Sequence, residues 1–271
     1  MTIQAKLTDT SSGSLVQRGD LLRVAATKRL DPVLRSEMGQ FFTPPSVAEL
    51  MASMFELRRK TVRLLDAGAG VGSLTAAWVS EACHREQPPR ELSVTLVELD
   101  PNLIPHLDTM LDLCREECEQ VGIAFKGTVI RADFIEAGVN ALRGYLFDSQ
   151  IERFDCAILN PPYHKIGSDS QTRRQIATIG IETSNLYTAF LAVTIRLLEP
   201  GGELVAITPR SFCNGSYFAP FRKDFLGTMA LHRIHVFESR KRAFSEDAVL
   251  QENVIVHAIK EQNTGNPVMI S

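Results

Sequence analysis

The chain has 271 residues, 44% apolar and 23% charged, with a formal net charge of -3. That composition belongs to a globular protein with ample material for a core, and no apolar run approaches the roughly 18 residues that span a bilayer. Met1 to Lys6 lack the apolar stretch of a secretion signal, and the slight negative charge argues against a complete polyanion binder.

In chain order, residues 1–20 include the polar run Thr8 to Ser14 and are expected to form a flexible tail. Leu21, Leu22, Ala25, Ala26 and Leu30 recur at helical spacing and predict a helix from Asp20 to Leu34. Gly39-Gln40-Phe41-Phe42-Thr43-Pro44-Pro45 leads into a second helix carrying Val47, Leu50, Met51, Met54 and Phe55. Thr43 is placed to cap it, and the prolines suit its first turn. Loops rarely spend two aromatics without a contact to make, so Phe41 and Phe42 call for a partner.

Arg63 to Thr75 reads as strand, glycine turn and helix, with Asp66 closing the strand and Gly68, Gly70 and Gly72 in the turn. Such a turn brings the backbone close to a ligand at a helix start. A carboxylate at that point repels a pyrophosphate but suits a ligand bearing positive charge. Val94 to Asp100 is a second strand ending in acid, with Glu98 placed to accept both hydroxyls of a ribose. Thr128 to Phe134 is a third. There Asp133 can accept from an adenine amino group while Phe134 covers the ring. Three successive strands each ending in an acid are hard to ascribe to chance.

Phe154 to Leu159 is a short apolar run, a buried strand that must stop at Pro161 because two prolines supply no N–H to a ladder. Asn160, Pro161, Pro162 and Tyr163 are thus presented at a carboxyl end. An Asn oxygen and a proline carbonyl can each accept one hydrogen of an exocyclic amino group, and Tyr163 offers a face for stacking, worth ~1–3 kcal/mol per base. A plain strand-ending turn has the same residues, so the flanking sequence has to decide.

Gly167 to Thr183, with Arg173 and Arg174, is expected to be a loop or partly helical lid, its arginines either solvated or on phosphates. Leu186 to Leu198 is an apolar helix and Glu203 to Pro209 the fifth strand. Leu231–Phe237 and Asn253–Lys260 are the sixth and seventh, joined by a charged connection containing Arg240-Lys241-Arg242. Five cysteines at irregular spacing read as reduced thiols in a cytoplasmic protein. Cys114 and Cys118 share a helix face, but no second ligand pair follows, and no metal is expected.

The ordered set Gly39 to Pro44, Asp66 to Gly70, Glu98, Asp133-Phe134 and Asn160 to Tyr163 resembles the adenine-specific DNA methyltransferases of restriction–modification systems. Its order is that of their gamma arrangement, and the resemblance runs from about Leu34 to Lys260. It implies an α/β, Rossmann-like class I methyltransferase fold: a seven-stranded mixed sheet with helices on both faces and a C-terminal antiparallel hairpin. It also implies S-adenosylmethionine as cofactor and an adenine flipped out of DNA as substrate. Carried over by position, Phe42 and Thr43 meet the methionine end of the cofactor, and Asp66, Gly68 and Gly70 form its floor. Glu98 holds the ribose, Asp133 and Phe134 the cofactor's adenine. Asn160 and Pro161, with Pro162, polarise the target amine, and Asn160 also borders the cofactor. Tyr163 stacks on the base, and Phe237, or alternatively Phe244, covers its other face. Arg210 and Ser211 match a family segment to which no role is assigned.

The expected organisation is a tail over 1–20, a catalytic domain over 21–262 and a tail over 263–271. Too few residues follow the hairpin for a DNA-reading domain, so recognition is expected from a separate domain or subunit. Asn-Pro-Pro-Tyr also resembles RNA adenine and protein glutamine methyltransferases, which usually lack the Phe-Thr-Pro segment. A non-catalytic cofactor-binding subunit is a further alternative, and a nicotinamide-dependent oxidoreductase the most remote.

Overall fold

The computed structural model describes residues 13–29, 41–56, 59–144, 151–237, 252–261 and 267–271. Gly39, Gln40, the helix expected beyond residue 29, Arg240-Lys241-Arg242 and Phe244 lie outside the described residues.

Five strands run parallel: β1 (Thr61–Ala67), β2 (Glu91–Glu98), β3 (Ala124–Arg131), β4 (Phe154–Leu159) and β5 (Leu198–Pro209). β6 (Ala230–Val236) and β7 (Asn253–Ile259) follow, with β7 antiparallel between β5 and β6. The sequence predicts seven strands; the described residues form a sheet of eight, in the order β3-β2-β1-β4-β5-β7-β6-β8. β8 is Met269–Ile270, parallel to β6, in the stretch expected to be tail; two residues are too few to show a period. β4 is buried at every position because β1 and β5 flank it and helices cover both its faces.

Four helices pack on one face: α1 (Leu15–Thr27), α2 (Pro45–Ala52), α3 (Ser73–Cys83) and α4 (Ile104–Gln120). They bury Leu64, Val94, Ile158 and Val205. α5 (Phe134–Leu142), α6 (Gln171–Ala177), α7 (Leu186–Leu197) and α8 (Ala219–Thr228) bury Leu65, Val97, Leu159 and Ala206 on the other. Neighbours such as Leu64 and Leu65 part to opposite faces because side chains alternate along a strand.

Two local expectations change. α1 begins at Leu15, not near Asp20. Ser14 and Gln17 form a capping box, and Leu15 and Val16 are buried, so this end of the expected tail belongs to the fold. Thr43 does not cap α2: the cap position is Pro44, whose carbonyl takes the Val47 and Ala48 N–H groups, leaving Thr43 one residue too early. Within Gly167–Thr183, Ser170 caps α6, and Ile176 and Ile181 anchor the segment in the core. At the amino end of β4, Asp155 accepts from the Arg63 backbone N and Nε at 3.0 Å and pairs with Arg59.

Candidate active site

The strand order reverses between β1 and β4, which is where open α/β sheets hold ligands. Asp66 lies opposite Ile158, so two residues further along each strand the chain emerges side by side as Gly68 and Asn160. The turn after β1 is tied to β2 by Gly68 N and Ala69 N, both donating to the Val97 carbonyl at 2.8 and 3.1 Å. Gly70 has φ +59°, and a Cβ there would stand 3.1 Å from the Phe42 ring. Both the left-handed backbone and the close ring favour glycine at that position.

A cleft of about 320 Å³ opens over this reversal. Of the residues singled out in the sequence, Phe42, Gly68, Gly70, Glu98, Asp133, Phe134, Asn160 and Pro162 line it. Glu98 is held in place by three backbone donors, Gly70 N to Oε2 and Leu99 N and Asp100 N to Oε1, each at 2.8 Å. Burial pushes its carboxyl above the ordinary value, against the pull of those donors. Asp133 Oδ1 caps α5, accepting from Ile135 N at 2.8 Å and Glu136 N at 3.1 Å. Phe134 packs on Phe190 with ring centroids 5.0 Å apart.

Other expected residues stand off the cleft wall. Asp66 is fully buried behind the turn: its Oδ2 accepts from Thr75 Oγ1 at 2.7 Å, and Oδ1 has no hydrogen-bond partner among the described residues. Burial pushes its carboxyl up to about 7, Thr75 opposing and the Glu98 charge adding to the rise. Thr43 is buried, with its Oγ1 3.1 Å from Asn160 Nδ2. Pro161 is buried under the turn. Tyr163 is half-buried; its hydroxyl lies 3.1 Å from Asn160 Oδ1 and 3.2 Å from the Ile207 carbonyl, and its ring meets Tyr187 edge-on. Burial pushes its phenol above the ordinary range. Phe237 follows β6, packs on the apolar cluster of the α1–α4 face and contacts His235, not the cleft.

Sequence reasoning missed Val97, Leu99, Ala132, His164, Leu186 and Phe190, which complete the lining with Phe41. Most are apolar residues at strand ends or helix starts, where a cleft wall and a core leave the same pattern. His164 was findable, since it follows Tyr163 directly. Burial lowers its pKa, which favours the neutral ring. Among the described residues no group of three or more His, Cys, Asp or Glu could hold a metal, and no helix is long and apolar enough to cross a membrane.

The sequence profile of the Eco57I restriction-modification methylases matches residues 107–244, slightly more than half of the chain. The chain belongs to the Eco57I restriction-modification methylase family. The match runs from within α4 to beyond β6 and includes Asn160 to Tyr163. Among individual Type II methyltransferases, M.PstI of Providencia stuartii is 45% identical over 251 residues, 93% of this chain and 48% of the relative. M.BsuBI of Bacillus subtilis is 44% identical over 231 residues, 83% of this chain and 45% of the relative. The chain thus spans about half the length of the curated relatives it matches. In structure it is similar to a Listeria monocytogenes protein assigned to the class I S-adenosylmethionine-dependent methyltransferases. The TM-score is 0.70 at 18% identity, covering 96% of this chain and 73% of that one. The fold of this Eco57I-family chain is therefore the class I methyltransferase fold.

Proposed function

We propose that the chain is the catalytic part of a restriction–modification methyltransferase of the gamma arrangement. In this reading it binds S-adenosylmethionine and methylates the exocyclic amino nitrogen of an adenine flipped out of DNA. Membership in the Eco57I family and the likeness to two Type II methyltransferases support restriction–modification chemistry.

The residues present fit the cofactor. The cleft presents the carboxylates of Glu98 and Asp133 and no Lys or Arg among its described lining residues, which suits a cationic sulfonium and repels a pyrophosphate. Val97, Leu99, Ala132 and Phe134 give an apolar slot of the kind an adenine ring fills. Glu98 would take the ribose, Asp133 and Phe134 the cofactor's adenine, and Phe42 over Gly70 the methionine end. S-adenosylmethionine supplies an electrophilic methyl group when bound.

The observation that carries the reading is Asn160 on the wall of that cleft, followed at once by a proline carbonyl. Asn160 lines it, and the next residue's carbonyl, that of Pro161, has no hydrogen-bond partner among the described residues. Asn160 Oδ1 and the Pro161 oxygen would each accept one hydrogen of the target amine. Held so, the nitrogen regains the lone pair otherwise delocalised into the ring, and the positive charge it develops on attack falls between two fixed dipoles. Tyr163 would stack on the base. Phe237 would reach its far face only with the base standing well clear of the cleft, because it packs elsewhere.

The test compares wild type with Asn160→Ala in the full-length protein, using tritium-labelled S-adenosylmethionine and unmethylated DNA. Transfer to DNA is expected to vanish while calorimetric affinity for the cofactor is kept, because the acceptor matters most in the transition state. A variant retaining most of its turnover contradicts the role of Asn160.

A further inference from the structure

The amide of Asn160 has a hydrogen-bond partner at each end within the chain. Nδ2 carries two hydrogens and has two acceptors, the Phe41 carbonyl at 2.8 Å and Thr43 Oγ1 at 3.1 Å. An amide turned the other way would set its own oxygen against the Phe41 carbonyl, acceptor to acceptor, so that carbonyl decides which end of the amide is Oδ1. Thr43 Oγ1 takes the second hydrogen of Nδ2 and holds the amide plane. Both contacts come from a segment 117 to 119 residues away in sequence. The anchor is stiff: Thr43 is buried and β-branched, and Pro44 and Pro45 fix the backbone that follows.

We propose that Thr43 is a positioning residue for Asn160: its hydroxyl, with the Phe41 carbonyl, locks the amide so that Oδ1 faces the methyl-accepting amine. This rests on the methyl-transfer reading and adds to it a task for the segment ahead of the glycine turn. The family resemblance sends this threonine to the cofactor, but its oxygen stands on Asn160 and off the cleft wall. The Tyr163 hydroxyl completes the device. It lies 3.1 Å from Oδ1 and 3.2 Å from the Ile207 carbonyl, so its hydrogen has a second acceptor once a substrate amine takes Oδ1.

The experiment uses Thr43→Val, which keeps the shape and removes the acceptor, and Thr43→Ser, which restores it, in the full-length protein. With tritium-labelled S-adenosylmethionine and unmethylated DNA, the valine variant is expected to lose roughly 3- to 10-fold in kcat, the worth of one neutral hydrogen bond. KM and calorimetric affinity for S-adenosylmethionine stay at wild-type values, and serine recovers the rate. Independently of turnover, ¹⁵N NMR should find the Asn160 side-chain NH₂ hydrogens slow to exchange in wild type and serine variant, and faster in the valine variant. Full kcat with unchanged exchange in Thr43→Val overturns the proposal. So does a loss of cofactor affinity with kcat intact, which assigns Thr43 to the cofactor. A wild-type protein that transfers no methyl group to DNA overturns the functional reading instead, and the exchange comparison alone then decides whether Thr43 holds Asn160.

Discussion

Asp66→Asn probes the electrostatics of the glycine turn. Asp66 is wholly buried, accepts from Thr75 Oγ1 at 2.7 Å and leaves Oδ1 without a hydrogen-bond partner among the described residues, and burial pushes its carboxyl up to about 7. An unfolded aspartate titrates near ~3.9, and a gap of roughly three pH units corresponds to about 4 kcal/mol at 1.36 kcal/mol per unit. A carboxyl whose folded value is raised contributes its full stability below the unfolded value. That contribution drains away between about pH 4 and pH 7, where the native state binds a proton the unfolded chain has released. Asparagine is neutral throughout, and its oxygen can take the Thr75 hydrogen bond. The stability of the variant relative to wild type should therefore rise by up to about 4 kcal/mol from pH 4 to pH 8. Urea unfolding of both proteins across that range reads the difference directly, since every other titrating group cancels. A difference that does not change with pH would contradict a buried, uncompensated carboxyl at this turn.

Gly70→Ala forces a side chain into φ +59° with its Cβ 3.1 Å from the Phe42 ring. Strain of roughly 1–2 kcal/mol should weaken S-adenosylmethionine about tenfold by calorimetry, and unchanged affinity would leave Phe42 out of the cofactor site. Tyr163→Phe keeps the stacking ring but loses the hydroxyl shared between Asn160 and Ile207. KM for DNA should hold while kcat falls a few-fold, whereas Tyr163→Ala should raise KM; the reverse pattern would take the ring away from the base. At the amino end of β4, burial raises the Asp155 carboxyl, but hydrogen bonds and charge from Arg63, with Arg59, overcome it and hold the value below normal. Asp155→Asn should cost about 1 kcal/mol near neutrality, less than the roughly 1.5–3 kcal/mol of a charged hydrogen bond because both arginines are partly in water. The cost should vanish as pH falls below ~3.9, and a loss that persists in acid would show packing, not charge, at work.

The parts of this molecule legible in the sequence are those whose signal is local. Apolar runs closed by an acid or by Asn-Pro-Pro locate β1, β2 and β4 and put Glu98 at the end of β2 and Asn160 directly after β4, where the structure places them. The third strand lies earlier than the expected Thr128–Phe134: it runs Ala124–Arg131, and Asp133 and Phe134 are the cap and first residue of α5. Asp66 illustrates a different limit. Its place in the strand was readable, but whether it faced the ligand or the core depends on Thr75 and α3 packing behind it. Its position before two prolines points Thr43 to a cap, yet its oxygen serves a residue far along the chain. No local pattern reports such a contact. The cleft wall of Leu186 and Phe190 was read as core for the same reason: apolar periodicity records burial, not what does the burying.

The most direct measurement is mass spectrometry of nucleosides digested from unmethylated DNA after incubation with the full-length protein and isotopically labelled S-adenosylmethionine. Label in adenine methylated at the exocyclic amine, lost with Asn160→Ala, is the predicted result. Label in methylcytosine, or no label in DNA adenine at all, would contradict the central claim.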